Sequence, residues 1–434
     1  FFIFWSLSGL LLKLIMSIKK IYYKGLNSFT LRQISSKINT TVFSMSIICI
    51  MLFITICVLS SALSIKNSMS ANLQELAPVD IQLTQVMNLD SEDISEFYTE
   101  NMVKNSKLDL FETFKRNEIN LLDELKDVTS IHIYKTPTLT YKDTLGSKLK
   151  EIQKKFKHLN YDSSETIVKL SEYNSLAKLY GDKTYTLNSD EYLIIGDFES
   201  MTSIRDEALK TDPKINVFNH ILKPKYKKCQ EGFIEMSGNH INSGIIIVPD
   251  EVVDDNYIYY HMIVGNYKVS NKKDKIKIED KFLDINLNKN YIIPNINTRL
   301  DIAEATTGLG GIATFIGLYL GIIFLISSAA ILALKELSES SDNKNRFKIL
   351  RKLGCDEKLI NKALFRQIGI FFMMPLILAI IHSIFGIKFS CYILETFGKD
   401  GLLPSIIMTA IFIIIIYGGY FLITYYCSKN IIKE

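Results

Sequence analysis

Few residues in this 434-residue chain are spaced for catalysis. The one Gly-Lys pair, Gly398-Lys399, has neither the upstream glycine nor the following hydroxyl of a phosphate-cradling loop, so ATP cannot be held in that way. The six histidines are isolated in sequence, with no H-E-x-x-H pair and no serine elbow. A metal or hydrolytic site would need distant groups to converge, and a membrane-bound enzyme is the least supported class. The spacings that do carry chemistry are basic, small and apolar. Lys344-Asn-Arg-Phe-Lys-Ile-Leu-Arg-Lys-Leu-Gly354 sets Phe347, Leu350 and Leu353 on one stripe of a basic helix containing Arg346 and Arg351, with Gly354 as its stop. Asp356 and Glu357 suit the start of the next helix. Such a stripe either lies on a lipid surface or docks into a groove of a partner.

Two further patterns belong to apolar surroundings. Gly317-Leu-Tyr-Leu-Gly321 is a G-x-x-x-G spacing, extended in character by Ser327, Ser328, Ala329 and Ala330; it favours a close helix contact over ordinary membrane-helix composition. Pro375 is expected to kink its helix. His382 lies 16 residues beyond Arg366, about 24 Å along a helix. An ionisable group at such depth is a functional candidate, but a neutral histidine bonded to a neighbouring helix is the preferred reading.

The elements that carry these residues are set by where charge is missing. The average, 48% hydrophobic, 22% charged and net +4, suggests a soluble protein. Yet 28 residues between Lys37 and Lys66 are uncharged, as are 30 between Glu304 and Lys335, 21 between Arg366 and Lys388, and 28 between Asp400 and Lys429. A membrane helix needs roughly 20 apolar residues, so four runs qualify, and a disordered chain or a purely soluble enzyme is excluded. A fifth run, at Phe1 to Leu12, opens on Phe and has neither a basic region before it nor a small-residue cleavage site after it; it reads as a span cut within a longer chain and not as a signal peptide.

Charge also orients the spans. Lys13 to Lys37 holds six basic residues and no acid, Lys335 to Arg366 holds nine basic against five acidic, and the tail has Lys429 and Lys433. The positive-inside rule puts all three in the cytoplasm. The expected layout is a truncated span 1–18, a cytoplasmic amphipathic linker 19–40, a span 41–65, an extracytoplasmic domain 66–304, a span 305–334, a cytoplasmic coupling loop 335–366, a span 367–389, an outer loop 390–404, a span 405–428 and a cytoplasmic tail 429–434. The outer block has 31 basic and 38 acidic residues and is too long to be a loop.

Within it, Ile94 to Lys126 reads as helix, and Ser171 to Tyr180 as a short helix stopped by Gly181. Ile131–Tyr134, Tyr192–Ile195, Gly244–Val248 and Tyr257–Val264 read as strands. Only Cys229 is clearly in this block, so no internal disulfide is expected and its core must hold it. The fold class is an α-helical transmembrane protein, five spans visible, with a large inserted extracytoplasmic α+β domain.

Three stretches together resemble an FtsX-type ABC transporter permease, more narrowly the bacitracin-export (Bce) type of Gram-positive bacteria. They are Phe29-Thr-Leu-Arg-Gln-Ile-Ser-Ser-Lys-Ile-Asn-Thr-Thr41; Phe315 to Ile326 continuing to Leu334-Lys-Glu-Leu-Ser-Glu339; and Arg346 to Gly354 followed by Phe365-Arg-Gln-Ile-Gly369 and Pro375 to Ser383. The outer domain matches only loosely, around Lys169 to Lys178. The resemblance implies a ten-span permease, of which these would be the last five, and a non-catalytic subunit without cofactor. ATP and magnesium would sit in a separate ABC-type ATPase, a dimer. It tips the 344–354 helix toward docking on that ATPase, with Arg346, Phe347, Leu350, Arg351, Leu353 and Gly354 as the contact. It also implies movement of the outer domain by the helices below, engagement of a peptide antibiotic or its lipid-carrier complex, contact with membrane lipid, and a sensor histidine kinase as a further partner. The outer charge of −7 would weakly favour cationic peptides. No nucleic-acid partner is expected. The alternatives are a related machine handling lipoproteins or controlling a cell-wall hydrolase, and an ATPase-independent membrane receptor.

Overall fold

The computed structural model describes residues 2–6, 17–94, 98–116, 118, 120–287, 295–393, 395–398 and 401–433. The expected first span, 1–18, thus falls largely outside the described residues. In chain order the principal helices are α1 (Asn27–Leu76), α2 (Leu170–Tyr180), α3 (Glu199–Leu209), α4 (Lys272–Leu287), α5 (Arg299–Asp342), α6 (Lys344–Lys352), α7 (Glu357–Ile393) and α8 (Leu402–Lys433). The strands are β1 (Ile81–Val86), β2 (Leu125–Tyr134), β3 (Ile167–Lys169), β4 (Glu191–Ile195), β5 (Ile215–Val217), β6 (His220–Pro224), β7 (Ile245–Val248), β8 (Ile258–Tyr267) and β9 (Asn295–Thr298). Two compact units result. One comprises residues 1–68, 310–394 and 399–434; the other comprises 69–309 with 395–398.

Among the described residues, four helices, mainly in the first unit, are long and apolar enough to cross a membrane: Val42–Leu76 within α1, then α5, α7 up to Tyr392, and α8. Their side chains are sorted opposite to those of a soluble bundle. On α8 the buried stripe is Ser405, Thr409, Ile413, Tyr417, Thr424, Ser428 and Ile432, at mostly four-residue steps. Its exposed side carries Ile407, Ile411, Ile414, Ile415, Leu422 and Ile423. Lipid offers no drive to bury isoleucine, while hydroxyls must find partners inside. Ser60 donates to Thr409 Oγ1 at 3.1 Å, Thr409 to the carbonyl of Ser405 at 2.9 Å and Thr424 to that of Tyr420 at 2.7 Å, whereas the buried Ser428 Oγ has no partner among the described residues. The core between the helices is apolar and aromatic, with Ile48, Leu52, Leu325, Phe371, Phe372 and Tyr417.

The second unit is built on a nine-stranded mixed sheet, ordered β5-β6-β4-β7-β3-β2-β8-β1-β9. The β3–β7 and β4–β6 pairs are parallel and the rest antiparallel. The long strand β8 organises it, with Ile263 opposite Leu83 of β1 and Met262 opposite Ile131 of β2. Alternation along these strands feeds two different faces. Ile131, Val168, Tyr173, Leu193 and Met262 share one core. Ile81, Leu83, Ile263, Tyr267 and Phe282 share another. All six cysteines of the chain are free.

The four strand expectations match β2, β4, β7 and β8, with Gly244 and Tyr257 each lying one residue ahead of its strand. Helix α2 ends where expected, with Gly181 at φ +83°, a left-handed cap that costs glycine little. The single helix expected over 94–126 is corrected. The described part holds two short helices, Glu100–Asn105 and Leu110–Arg116, and β2 already begins at Leu125. Competing caps break it. Thr99 Oγ1 accepts from the N–H of Met102 at 3.3 Å, and Asp109 Oδ1 from that of Glu112 at 2.7 Å, so each starts a new helix. The segment Glu395–Gly398, expected simply as loop, joins the sheet unit. The His240 N–H donates to the Thr396 carbonyl at 2.8 Å, and Asn72 Nδ2 to that of Phe397 at 3.2 Å.

Candidate functional site

Helix α6 is short and strongly basic, so its own propensity would not hold it. Its C-terminus is fixed by a Schellman arrangement. The Gly354 N–H donates to the Arg351 carbonyl at 2.9 Å and that of Cys355 to Leu350 at 3.1 Å, with Gly354 at φ +82°, where a side chain would be strained. One residue later Asp356 Oδ1 accepts from the Lys358 N–H at 3.1 Å and opens α7. The stop and the restart read in the sequence are both present.

The stripe does not face one way. Phe347 is only 1% exposed, packed with Ile360 and Leu364, and its ring meets Phe29 edge-on at 5.5 Å. Leu350 is half-buried against the same cluster. Arg351 Nε meets the Glu357 carboxylate, and its Nη1 donates to the Ile432 carbonyl at 2.6 Å. Arg346 Nη1 donates to Gln33 Oε1 at 2.6 Å. These four residues tie α6 to the ends of α1, α7 and α8. Leu353, 77% exposed, points away with Gly354, and so does Ile349, 57% exposed. Lys348 and Lys352 are exposed beside them. Ile349 was missed in the sequence, although its i,i+4 spacing to Leu353 was the available signal.

Gly317 and Gly321 meet α1. A β-carbon on Gly317 would stand 2.2 Å from the Ala62 methyl, and one on Gly321 would stand 2.4 Å from Leu59 Cγ. The same helix is approached from two other sides. A β-carbon on Gly386 of α7 would lie 2.6 Å from Cys57 Sγ, and one on Gly401, just ahead of α8, 2.8 Å from the Ser64 carbonyl. Helix α1 is therefore the hub against which α5, α7 and α8 close, each through a glycine.

Pro375 is buried within the unbroken α7. Proline there removes a donor and crowds the preceding turn. The acceptor that loses its helical donor is the Phe371 carbonyl, and the buried Tyr417 hydroxyl of α8 donates to the next one, Phe372, at 2.9 Å. His382 lies edge-on to Phe53 at 6.5 Å. It borders an apolar cavity of 430 Å³ with Phe4, Cys49, Ile50 and Phe385.

The sheet unit has buried polar groups of its own. Arg205 forms a two-pronged bond to Glu165, at 2.8 and 2.9 Å. It donates to the Ser243 carbonyl at 2.7 Å and stacks on Tyr141 at 4.6 Å. The two side chains are each 4% exposed. A cavity of 230 Å³ is lined by Lys135, Asp197, Glu235, Asn239, Asn242 and Tyr260, among others. There Asp197 accepts from the Asn242 N–H at 2.7 Å and lies 3.5 Å from His240. Charges of both signs converge on it. Among the described residues no group of three or more His, Cys, Asp or Glu is placed to hold a metal.

Four long apolar helices with polar groups turned inward, and a sheet-bearing domain between the first two in sequence, define a multi-pass membrane protein. The chain is 31% identical over 162 residues to the bacitracin export permease protein BceB of Bacillus subtilis, a match over 36% of this chain and 23% of that protein. It is 23% identical over 277 residues to the ABC transporter permease protein YxdM of the same species, covering 61% of this chain and 41% of the relative. With the ABC transporter permease YvcS it shares 22% over 313 residues, covering 71% and 46%. The relatives are thus bacitracin export permeases and other Bacillus ABC transporter permeases, the family resembled in sequence, and they make this a cell-membrane protein of a Gram-positive bacterium. The chain spans less than half the length of the curated relatives it matches. No family model matches it.

Proposed function

We propose that the chain is the permease subunit, or part of one, of an ABC transporter that removes or exports bacitracin-like peptide antibiotics and serves resistance or its sensing. The similarity to bacitracin export permeases carries this reading. It is supported by four apolar helices among the described residues; with no P-loop in the sequence, ATP and magnesium in this reading sit in a separate ATPase subunit. In this reading residues 66–304 lie outside the cell, a fifth span precedes α1, and the coupling loop 335–366 meets the ATPase dimer. The contact uses the outward face of α6, Ile349 and Leu353 with Lys348 and Lys352, while Phe347, Leu350, Arg346 and Arg351 hold that face in place. The peptide or its lipid-carrier complex engages the sheet domain, and a sensor histidine kinase is a further partner. Deleting the gene and measuring susceptibility to bacitracin, nisin and related peptides tests it. Increased susceptibility to at least one is expected, and unchanged susceptibility across the panel would overturn the reading.

A further inference from the structure

Ahead of α1 and along the first turns of α7, three cations surround one cavity of 180 Å³: Lys24, Lys362 and Arg366, with Asn27 and Leu359 in its wall. Lys362 and Arg366 stand at i and i+4 on the same face of α7, where like charges repel. Lys24 comes from a different segment, turned by Gly25 at φ +60°. No carboxylate among the described residues forms a salt bridge with any of the three. Arg366 places Nη1 on Asn27 Oδ1, which fixes its planar fork and leaves its other donors for a ligand. Three converging cations without an anion are an unfavourable arrangement that a bound anion would relieve.

The position of the cavity says which anion. Arg366 is the last charged residue before 21 uncharged ones, so it marks the edge of the hydrocarbon layer, where lipid headgroups lie. Leu26, Leu359 and Ala363 supply an apolar side to the same cavity. Phosphate oxygens match both a fixed guanidinium and flexible ammonium groups. We infer that Lys24, Lys362 and Arg366 form a site for the phosphate of an anionic lipid headgroup. The site uses none of the α6 residues, and it rests only on the membrane placement, not on what is transported.

Native mass spectrometry of the purified full-length protein tests this, after exchange into detergent with phosphatidylglycerol, phosphatidylcholine or inorganic phosphate. Phosphatidylglycerol should be retained over phosphatidylcholine and displaced by excess inorganic phosphate. Lys24→Gln, Lys362→Gln and Arg366→Gln should each weaken retention roughly fivefold. A control removing three sheet-domain lysines, Lys157, Lys272 and Lys273, should leave it unchanged. Lys24→Arg with Lys362→Arg should keep the lipid, which separates charge from folding. Should the two α7 variants misfold, Lys24→Gln, ahead of α1, is the deciding measurement. Equal retention by wild type and variants would overturn the site, as would binding of inorganic phosphate without any preference for the anionic lipid. Loss of ATPase co-purification with lipid retention intact would make the patch a protein contact instead, and the proposal would fall.

Discussion

Gly317 of α5 lies so close to Ala62 of α1 that a β-carbon on it would stand 2.2 Å from the alanine methyl. No real side chain fits such a gap, so the two backbones pack at the limit that glycine permits. One turn on, Gly321 repeats the contact against Leu59. Gly317→Leu is expected to destabilise the helix unit by about 1–3 kcal/mol, the usual cost of overpacking, and to lower resistance in parallel. Gly317→Ala should cost less, and Ala62→Gly should restore it, because that change vacates the space the new methyl needs. Thermal melting in detergent measures all three, and absence of rescue would mean the contact is not the one described.

The two sides of α6 should behave differently. Phe347→Ala empties a buried site beside Phe29 and Ile360 and should cost about 3–5 kcal/mol, seen as a lower melting temperature. Leu353→Ala removes an exposed side chain and should leave melting nearly unchanged while reducing co-purification of the ATPase. Ile349→Ala should act like Leu353→Ala. If Leu353→Ala and Ile349→Ala together leave the ATPase bound, the outward face is not the docking surface.

Arg205 and Glu165 form a charge pair buried in the sheet domain. Removing one partner strands the other charge, so Arg205→Ala should cost about 3–5 kcal/mol. The double variant Arg205→Met with Glu165→Leu should recover much of that, since no charge is left uncompensated. Denaturant midpoints followed by a probe in the sheet domain decide it. A double variant as unstable as the single one would show that the pair's bonds to Thr144 and the Ser243 carbonyl matter more than its charges.

How much of this was legible in the sequence follows the physics of each feature. Charge-free runs revealed the apolar helices, because bilayer thickness demands their length. Runs of β-branched and aromatic residues revealed β2, β4, β7 and β8. The three-residue strands β3 and β5 carry too short a period to register, and their pairing depends on distant partners. The 94–126 segment looked continuous because its apolar residues keep a helical step, while Thr99 and Asp109 quietly restart the backbone. The stripe on α6 was legible as a pattern but not as a direction. Nothing in Phe347, Leu350 and Leu353 tells that the first turns toward Phe29 and the last toward solvent. Gly317 and Gly321 were legible as a contact, but not that Ala62 and Leu59 receive them.

Two titrating groups in the sheet domain give stability opposite slopes with pH. Glu279 is 6% exposed, beside the Tyr267 hydroxyl at 3.2 Å. Burial first, and then Asp301, push its carboxyl up to about 7. A carboxyl raised in the folded state stabilises it below the unfolded value near 4.5, and that contribution is lost as pH rises through 7. His261 is buried, accepts from the Leu110 N–H at 3.0 Å and stacks on His132 at 4.7 Å. Burial and then His132 lower it to about 4 from its ordinary 6.5. Its contribution is full above 6.5 and is lost as pH falls toward 4. The windows overlap, so the wild type should show a nearly flat profile between them. Glu279→Gln should uncover the histidine, with melting temperature rising as pH climbs from 4 to 6.5. His261→Gln should uncover the glutamate, with melting temperature falling from 4.5 to 7. Because Glu279 lies on α4 beside Tyr267 at the end of β8 and His261 lies six residues earlier on that strand, the effects should add in the double variant. A slope of the same sign in both single variants would mean that neither group controls the pH response of this domain.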